Sequence, residues 1–452
     1  MLPAKFVERV LRELGPDEGG ALCRALTGEP SVSVRLNAAK GLAAPSGCPI
    51  GWSTGGYWLD ARPSFTLDPD FHAGRYYVQE ASSQFVGHIV AACGGIGGGR
   101  VLDLCAAPGG KTTLYSTLAG RGGLVVANEI VRNRAAVLAD NVRKWGVGNV
   151  AVTVNDPSQV ARLEGWFDAV AVDAPCSGEG MFRKSEEART EWSEAGVALC
   201  AERQRGILRE AWRALRPGGL LLYSTCTFNF TENEGVLRDF SAWAAGETEP
   251  AERIAVDPAW GVVCGAEGDF QTFRFYPHRV EGEGFFAAAV RKRAAGGERR
   301  RMPRPQRDPL AWADRRAVQE LERWVEEPEA MRFAAVGGTY FGYWQPQAEA
   351  VAMLSGVLNV IASGVEMGQL FKGVLRPAHA LALFTGLRRG AAAVCELPPE
   401  EALRYLRPTV AADRFAEGMN LVTADGAALG FAKRIGRRCN NLYPNSLRIL
   451  KG

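Results

Sequence analysis

The chain has 452 residues, of which 47% are hydrophobic and 23% charged, and its formal net charge is +3. These values are ordinary for a soluble globular protein and provide apolar material for about two to four domains. No apolar run approaches the roughly 20 residues of a membrane-spanning helix, so the sequence predicts no membrane association. So small a net charge neither requires nor excludes nucleic acid as a partner.

The ten cysteines are scattered along the chain, and only four histidines are present. Because no two cysteines form a CxxC pair, we expect no zinc site and no metal. The first residues have the apolar spacing of an amphipathic helix rather than the pattern of a signal peptide, which predicts a cytoplasmic protein with reduced thiols. The sequence indicates no particular oligomeric state.

Residues 1–75 are predicted to form a small N-terminal α/β domain. A helix comes first, and short strands at residues 33–37 and 56–59 follow, with turns rich in Gly, Pro and Trp. A helical pattern then runs from Tyr76 to Cys93.

Residues 76–292 alternate predicted strands with helices, which is typical of a Rossmann-like parallel sheet with helices on both faces. The five predicted parallel strands are residues 101–104, 124–128, 150–155, 170–172 and 220–223. Residues 272–275 and 285–290 are predicted to form an antiparallel pair at the edge of this sheet.

Residues 293–308 are rich in Gly, Pro and Arg and are predicted to form a basic linker. In the region 309–452 that follows, short strand-like runs after residue 422 predict a small β-rich domain, whereas residues 309–400 match no pattern with a known role. Residues 404–452 contain nine Lys and Arg against three acids. This basic tail is either a nucleic-acid-binding surface or a solvated face.

The turn after the first parallel strand has the composition of a cofactor site. It contains Cys105, Ala106, Ala107, Pro108, Gly109, Gly110 and Lys111. The glycines let a ligand approach the backbone, and the start of the next helix offers free amide donors. A phosphate-binding P-loop is excluded because Cys105 occupies the position of its first glycine, and the GxGxxG pattern is absent. Simple strand–turn–helix packing is the alternative.

Two acids follow the next two strands. Glu129 comes where a carboxylate can accept hydrogen bonds from a ribose diol. Asp156 follows the third strand and is expected to face an adenine. An adenosyl cofactor without a diphosphate satisfies this pattern, and we therefore expect S-adenosylmethionine.

Two cysteines follow the last two parallel strands, at the sheet edge where open α/β sheets bind ligands. Carbon 5 of a cytosine becomes nucleophilic when a thiolate adds to carbon 6, and either Cys176 or Cys226 could supply that thiolate. Asp173 is placed to hydrogen-bond ring nitrogen 3 or the exocyclic amine. Lys111 could lower a thiol pKa or hold Asp173. A buried structural thiol is the alternative for each cysteine.

Three segments carry a resemblance to a known family. They are VLDLCAAPGGKTT at 101–113, DAPCSGEGMFRK at 173–184 and STCTFNFTENE at 224–234. On these motifs the chain resembles the RNA 5-methylcytosine methyltransferases of the Nop/Sun group, over most of residues 30–292. The resemblance implies the Rossmann-like sheet of class I methyltransferases.

The resemblance also implies roles for individual residues. Cys226 would be the nucleophile and Cys176 would assist product release, whereas the similar DNA cytosine methyltransferases attack with the Pro-Cys thiol. Cys105 to Lys111 would contact the cofactor chiefly through their backbone. The residues implied to complete the pocket are Glu129, Asp156 and Asp173, with Arg134 nearby.

The ends of the chain resemble the bacterial small-subunit ribosomal RNA methyltransferase F type, through GMFRK at 180–184 and NNLYPNS at 440–446. This implies a C-terminal PUA-like RNA-binding domain, an N-terminal domain that binds RNA or acts as a lid, and ribosomal RNA or the small ribosomal subunit as partner. Two alternatives stay open: the same chemistry on transfer RNA, and a catalytically silent RNA-binding ribosome assembly factor.

Overall fold

The computed structural model describes residues 1–294, 310–407 and 412–450, and the predicted linker at 293–308 lies almost entirely outside these ranges. The described strands form four sheets. None of the described helices has both the length and the apolar character needed to cross a bilayer.

The first sheet is antiparallel and has four strands. In spatial order they are Gly47–Pro49, Gly56–Leu59, Ser33–Leu36 and Tyr76–Val78. The helices of the same region are Ala4–Leu14, Pro16–Ala25 and Pro69–Ala73. The helix predicted from Tyr76 is wrong at its start, because the aromatic and β-branched residues there pair as a strand with Ser33–Leu36; the helix itself is Phe85–Ala92. The sheet therefore extends past the predicted boundary at residue 75.

The central sheet has ten strands. Nine of them lie in the spatial order Val263–Glu267, Phe270–Phe275, Phe285–Lys292, Leu215–Thr225, Phe167–Asp173, Arg100–Asp103, Leu124–Asn128, Val150–Thr153 and Val360–Ser363, and the tenth, Thr248–Glu249, pairs with the third of these. The five strands from Leu215–Thr225 to Val150–Thr153 are mutually parallel, which confirms the predicted parallel sheet.

Helices and two apolar layers cover this sheet. The helices that follow its strands are Gly110–Ala119, Arg132–Trp145, Pro157–Val160, Glu186–Glu191, Glu194–Ala214 and Glu234–Trp243. Consecutive residues of one strand enter opposite layers: Val101 belongs to one buried cluster and Leu102 to the other. Burial on both faces explains why the parallel strands read as continuous apolar runs.

The two predicted antiparallel strands do pair, with Thr272 opposite Ala288, but they do not lie at the sheet edge. Phe285–Lys292 is inserted beside Leu215–Thr225, and the short strand Val263–Glu267 covers the outer side of Phe270–Phe275. The edge prediction is therefore wrong, since it missed the exposed, weakly apolar strand that forms the true edge.

The C-terminal region contains two further sheets. The third sheet consists, in order, of Ala311–Trp312, Met331–Val336, Thr339–Trp344, Val365–Phe371 and Val374–Pro377, and its helices are Arg315–Glu322, Gln345–Ser355 and His379–Leu383. The fourth consists of Ala393–Glu396, Gly418–Ala424, Ala427–Ile435 and Arg438–Asn441, with the helix Pro399–Tyr405. In the sequence, Val360–Ser363 lies between two strands of the third sheet. It does not belong to that sheet but pairs antiparallel with Val150–Thr153 of the central sheet.

The direction in which the strands are added reverses within the central sheet. Arg100–Asp103 lies between Leu124–Asn128 and Phe167–Asp173, and the sheet grows outward from it in both directions. In open α/β sheets such a reversal of strand order leaves a ligand-binding crevice at the carboxyl ends of the strands.

Candidate active site

Two thiols meet at this crevice. The strands Phe167–Asp173 and Leu215–Thr225 are parallel neighbours with Asp173 opposite Ser224, so the residues just beyond their carboxyl ends come together. The Sγ atoms of Cys176 and Cys226 lie 3.3 Å apart, and both cysteines are half-buried and free. The hydrogen bond with Cys226, together with burial, raises the pKa of the Cys176 thiol well above its usual value.

An ion pair lies beside the thiols. Lys111 Nζ is 2.9 Å from Asp173 Oδ2, and Ser224 Oγ donates to Asp173 Oδ1 at 2.7 Å. Burial alone would lower the pKa of Lys111, but the charge and hydrogen bond of Asp173 outweigh it and raise that pKa. A negative charge on Cys226 raises it further. The raised pKa keeps the Lys111 ammonium charged beside Cys226.

The glycine-containing turn forms as predicted, and the helix after it starts at Gly110. Gly109 has a φ of +114°, and a Cβ there would lie 3.0 Å from a methyl group of Leu138, so this position requires glycine. The Ala107–Pro108 peptide is cis. The first amides of the helix have no hydrogen-bond partner within the helix.

Carboxylates surround Cys105 in this turn. Burial and the charges of Asp103, Asp173 and Glu129 raise the pKa of its thiol. Asp103 is 1% exposed; Thr112 Oγ1 donates to its Oδ2 at 2.6 Å, while its buried Oδ1 has no hydrogen-bond partner among the described residues. An acceptor of this kind suits a ligand that brings its own donors and a positive charge.

Glu129 and Arg134 also come to the turn. Glu129 is 3% exposed and accepts a hydrogen bond from the amide of Val131 at 2.9 Å. Arg134 lies 3.5 Å from Glu129 Oε2 and donates to the carbonyl of Ala107 at 3.1 Å. The arginine therefore links the acid at the end of the second parallel strand to the turn after the first.

Asp156 does not join this network through any contact among the described residues. The strand before it ends at Thr153, and the exposed Asp156 carboxylate caps the helix Pro157–Val160 by accepting from the amide of Ser158 at 2.9 Å. The expected contact with an adenine stays a prediction. The same region instead buries Asn128 and Asn155, which the sequence did not single out.

Two buried glutamates near the thiols were missed. Glu179 lies three residues after Cys176, Glu232 lies six residues after Cys226, and both are fully buried. They are present in the segments that carried the family resemblance, but a glutamate beside other polar residues in a turn is normally exposed. The only available signal was their position shortly after each cysteine.

Comparison with known proteins identifies the family. The 16S rRNA methyltransferase RsmB/F model matches residues 97–291, the N-terminal domain of 16S rRNA methyltransferase RsmF matches residues 2–81, and the methyltransferase RsmF PUA domain matches residues 392–449. Ribosomal RNA small subunit methyltransferase F of Erwinia tasmaniensis is 33% identical, with 88% of this chain and 84% of that protein aligned. The Klebsiella pneumoniae protein of the same name is 32% identical over 92% and 90% of the two chains.

The chain belongs to the ribosomal RNA small subunit methyltransferase F family. Membership implies S-adenosylmethionine as methyl donor and ribosomal RNA as methyl acceptor. The structure of NSun6 from Pyrococcus horikoshii with SFG has a TM-score of 0.54 and 20% identity, and the match covers 64% of this chain and 98% of that one. That likeness concerns the fold, which is the Rossmann-like fold of class I methyltransferases. The fourth sheet lies in the region that matches the PUA domain. The resemblance, the fold class and the cofactor expected from the sequence are thus confirmed.

The residues at the turn fit the methyl donor of this family. The unpartnered Asp103 oxygen and the buried Glu129 are acceptors for its amine and hydroxyl donors, and the neighbouring acids suit its positive sulfonium. In residues 1–294, 310–407 and 412–450 no group of His, Cys, Asp and Glu is arranged to hold a metal ion.

Proposed function

We propose that the protein methylates carbon 5 of a cytosine in small-subunit ribosomal RNA through a covalent cysteine–pyrimidine intermediate. One observation carries this proposal: two free thiols lie 3.3 Å apart beyond the carboxyl ends of two parallel strands of a methyltransferase sheet, and one of them interacts with the charge of Lys111 in the Lys111–Asp173 ion pair. A methyltransferase that acts on an oxygen or an exocyclic nitrogen needs no thiol, whereas carbon 5 requires covalent activation.

Cys226 is the nucleophile in this proposal. Lys111 stabilises its thiolate, and the Cys176 thiol, whose own pKa is raised, donates a hydrogen bond to it. The thiolate adds to carbon 6 of the cytosine. Asp173 accepts a hydrogen bond from the exocyclic amine, and the Lys111–Asp173 pair supplies the proton that ring nitrogen 3 gains as carbon 5 becomes nucleophilic.

When bound at the turn, S-adenosylmethionine supplies an electrophilic methyl group to the activated carbon 5. Cys105 to Lys111 bind it chiefly through their backbone, with Glu129, Arg134, Asp156 and Asp173 around it. Asp103 fixes the turn through its hydrogen bond with Thr112, and Lys111 fixes the Asp173 carboxylate between the cofactor and the cytosine.

Cys176 removes the carbon 5 proton in the final step. Its thiol pKa is raised by the hydrogen bond that it donates to Cys226 and by the charge of Cys226, and both influences end once Cys226 Sγ is bonded to the pyrimidine. Cys176 can therefore lose its own proton to solvent at that stage, and the resulting thiolate is the base that takes the proton from carbon 5. Ring nitrogen 3 returns its proton to the Lys111–Asp173 pair as the methyl group is transferred. Loss of the carbon 5 proton to Cys176 then expels Cys226 as a thiolate and releases 5-methylcytosine.

The test is methyl transfer from labelled S-adenosylmethionine to small ribosomal subunits that lack the modification, followed by nuclease mapping of the product. We expect label in 5-methylcytosine at a defined position, and none with Cys226→Ala. Label in naked ribosomal RNA or transfer RNA but not in subunits would overturn the substrate, and label in another nucleoside would overturn the chemistry.

A further inference from the structure

Two buried carboxylates connect the loops that carry the thiols. We define the first loop as residues 175–182, which contains Cys176, and the second as residues 226–233, which contains Cys226. Each loop contributes one fully buried glutamate, and each of these glutamates accepts hydrogen bonds from the backbone of the other loop. The relationship is reciprocal.

Glu179, on the first loop, binds the backbone of the second. Its Oε2 accepts from the amides of Phe228 at 2.9 Å and Asn229 at 3.2 Å, while its Oε1 accepts from Trp192 Nε1 at 3.0 Å. Arg9 Nη2 donates to the same oxygen at 2.6 Å, from the first helix of the chain. Arg9 is 6% exposed and its guanidinium also lies over the Trp192 ring. The N-terminal region thus provides the counter-charge for a carboxylate of the thiol site.

Glu232, on the second loop, binds the first. Its Oε1 accepts from the amide of Ser177, the residue after Cys176, at 2.8 Å, and its Oε2 accepts from the Ser177 hydroxyl. Gln204 Nε2 donates both to Glu232 and to the carbonyl of Pro175, the residue before Cys176. Both neighbours of Cys176 are therefore held by one cluster. Among the described residues, no cation lies within ion-pair distance of Glu232.

A shared amide and a close backbone contact complete the connection. Asn229 Nδ2 donates to Glu232 at 2.6 Å and to Glu179 at 3.0 Å. The amide of Gly180 donates to the carbonyl of Cys226 at 2.8 Å, and a Cβ at Gly180 would lie 2.9 Å from that oxygen. The two loops are thus joined at each cysteine or its immediate neighbour.

We propose that Glu179 and Glu232 are positioning residues that hold the Cys176 and Cys226 sulfur atoms in contact, with Arg9 as the counter-ion of Glu179. The catalytic consequence rests on the function proposed above: a displaced Cys176 would slow product release more than adduct formation. The geometric consequence is independent of that function, because two thiols in contact can be joined chemically.

The first measurement is therefore disulfide formation. Diamide takes two electrons and two protons from Cys176 and Cys226 and leaves one S–S bond, which peptide mass spectrometry detects. We expect Glu232→Gln and Glu179→Gln to slow this reaction about tenfold or more relative to the unmodified protein, since small displacements are costly to a reaction of fixed geometry. Asp269→Asn is the control. It removes a half-buried carboxylate that accepts from Thr248 in a distant turn, and it should leave the rate unchanged.

The second measurement is the fraction of enzyme trapped on RNA in a denaturing gel. We expect Glu232→Gln to accumulate the covalent adduct, as we also expect of Cys176→Ala. Its affinity for the cofactor should be unchanged, and its thermal unfolding should show the cooperative transition of a folded protein. Unchanged disulfide formation in both glutamate variants would overturn the positioning role. Slow disulfide formation without any adduct, even in Cys176→Ala, would support the positioning role and reject the covalent chemistry.

Discussion

Arg9 and Glu179 form a buried ion pair, 2.6 Å between Nη2 and Oε1, across 170 residues of sequence. The side chains of Arg9 and Glu179 are 7% and 0% exposed. This pair joins the first helix to the loop that follows one of the two thiols. The N-terminal region is therefore electrostatically part of the candidate active site rather than a separate attachment to it.

Breaking this pair should be costly. Arg9→Met leaves the Glu179 carboxylate buried without a counter-charge, and we expect the free energy of unfolding to fall by about 3–5 kcal/mol. Urea denaturation measures it. Combining Arg9→Met with Glu179→Gln removes both charges and should recover part of that loss; if the double variant is less stable than Arg9→Met, the two groups do not act as a pair.

The two cysteines should differ in what they arrest. Cys176→Ala should accumulate a slow-migrating, protease-sensitive enzyme–RNA adduct, because addition by Cys226 proceeds while elimination stalls. Cys226→Ala should form no adduct and transfer no methyl group. Denaturing gels with labelled RNA distinguish the variants. An adduct in Cys226→Ala but not in Cys176→Ala would assign the nucleophile to the other thiol.

Asp103 should make stability depend on pH. Burial raises the pKa of this carboxyl to about 7, above its usual 3.8. The folded protein therefore holds this proton more tightly than the unfolded chain, and the stabilisation, complete below pH 3.8, is lost as pH rises towards 7. The cost over this window is on the order of 4 kcal/mol. The stability of Asp103→Asn should lack this pH dependence. In cofactor-free urea titrations from pH 4 to 7.5, the free energy of unfolding of the unmodified protein should therefore fall relative to that of Asp103→Asn. A constant difference would contradict the assignment.

The basic residues of the fourth sheet should contribute to RNA affinity through phosphate contacts. Lys433, Arg437 and Arg438 are exposed on or beside the strands Ala427–Ile435 and Arg438–Asn441. Replacing all three with alanine should reduce the slope of log affinity against log salt by about 2–3, because fewer counterions are released. The matched control is alanine at Arg315 and Arg316, two exposed arginines on the helix Arg315–Glu322, which is not part of the fourth sheet. An unchanged slope in the triple variant would make this surface a solvated face.

The sequence predicted the parts of the site that depend on local patterns. Apolar runs bounded by polar turns located the parallel strands, and their common carboxyl ends brought Cys176, Cys226, Asp173 and Lys111 together as expected. Ligands bind at the turns that follow the carboxyl ends of parallel strands. Recognising the strand ends from composition therefore located the candidate site residues.

Other features depended on contacts between distant residues. Nothing local distinguishes a buried Glu232 from an exposed one, because its burial is stabilised by donors from Ser177 and Gln204. Likewise, the edge strand Val263–Glu267 has four exposed or weakly apolar positions, and only its pairing with Phe270–Phe275 defines it. The domain boundaries, and the roles of the cofactor residues, stay predictions.

The antiparallel strand Val360–Ser363 has a consequence for biosynthesis. It covers the edge of the central sheet at Val150–Thr153, although the chain between the two includes six other strands of that sheet and three of the five strands of the third. While the ribosome is still making the C-terminal half, this edge presents unpaired amides and carbonyls to other nascent chains. This edge of the central sheet is therefore covered only after the segment that precedes the PUA domain has emerged, which ties the folding of the central sheet to the synthesis of chain well beyond Phe285–Lys292, the last strand that the sequence assigns to it.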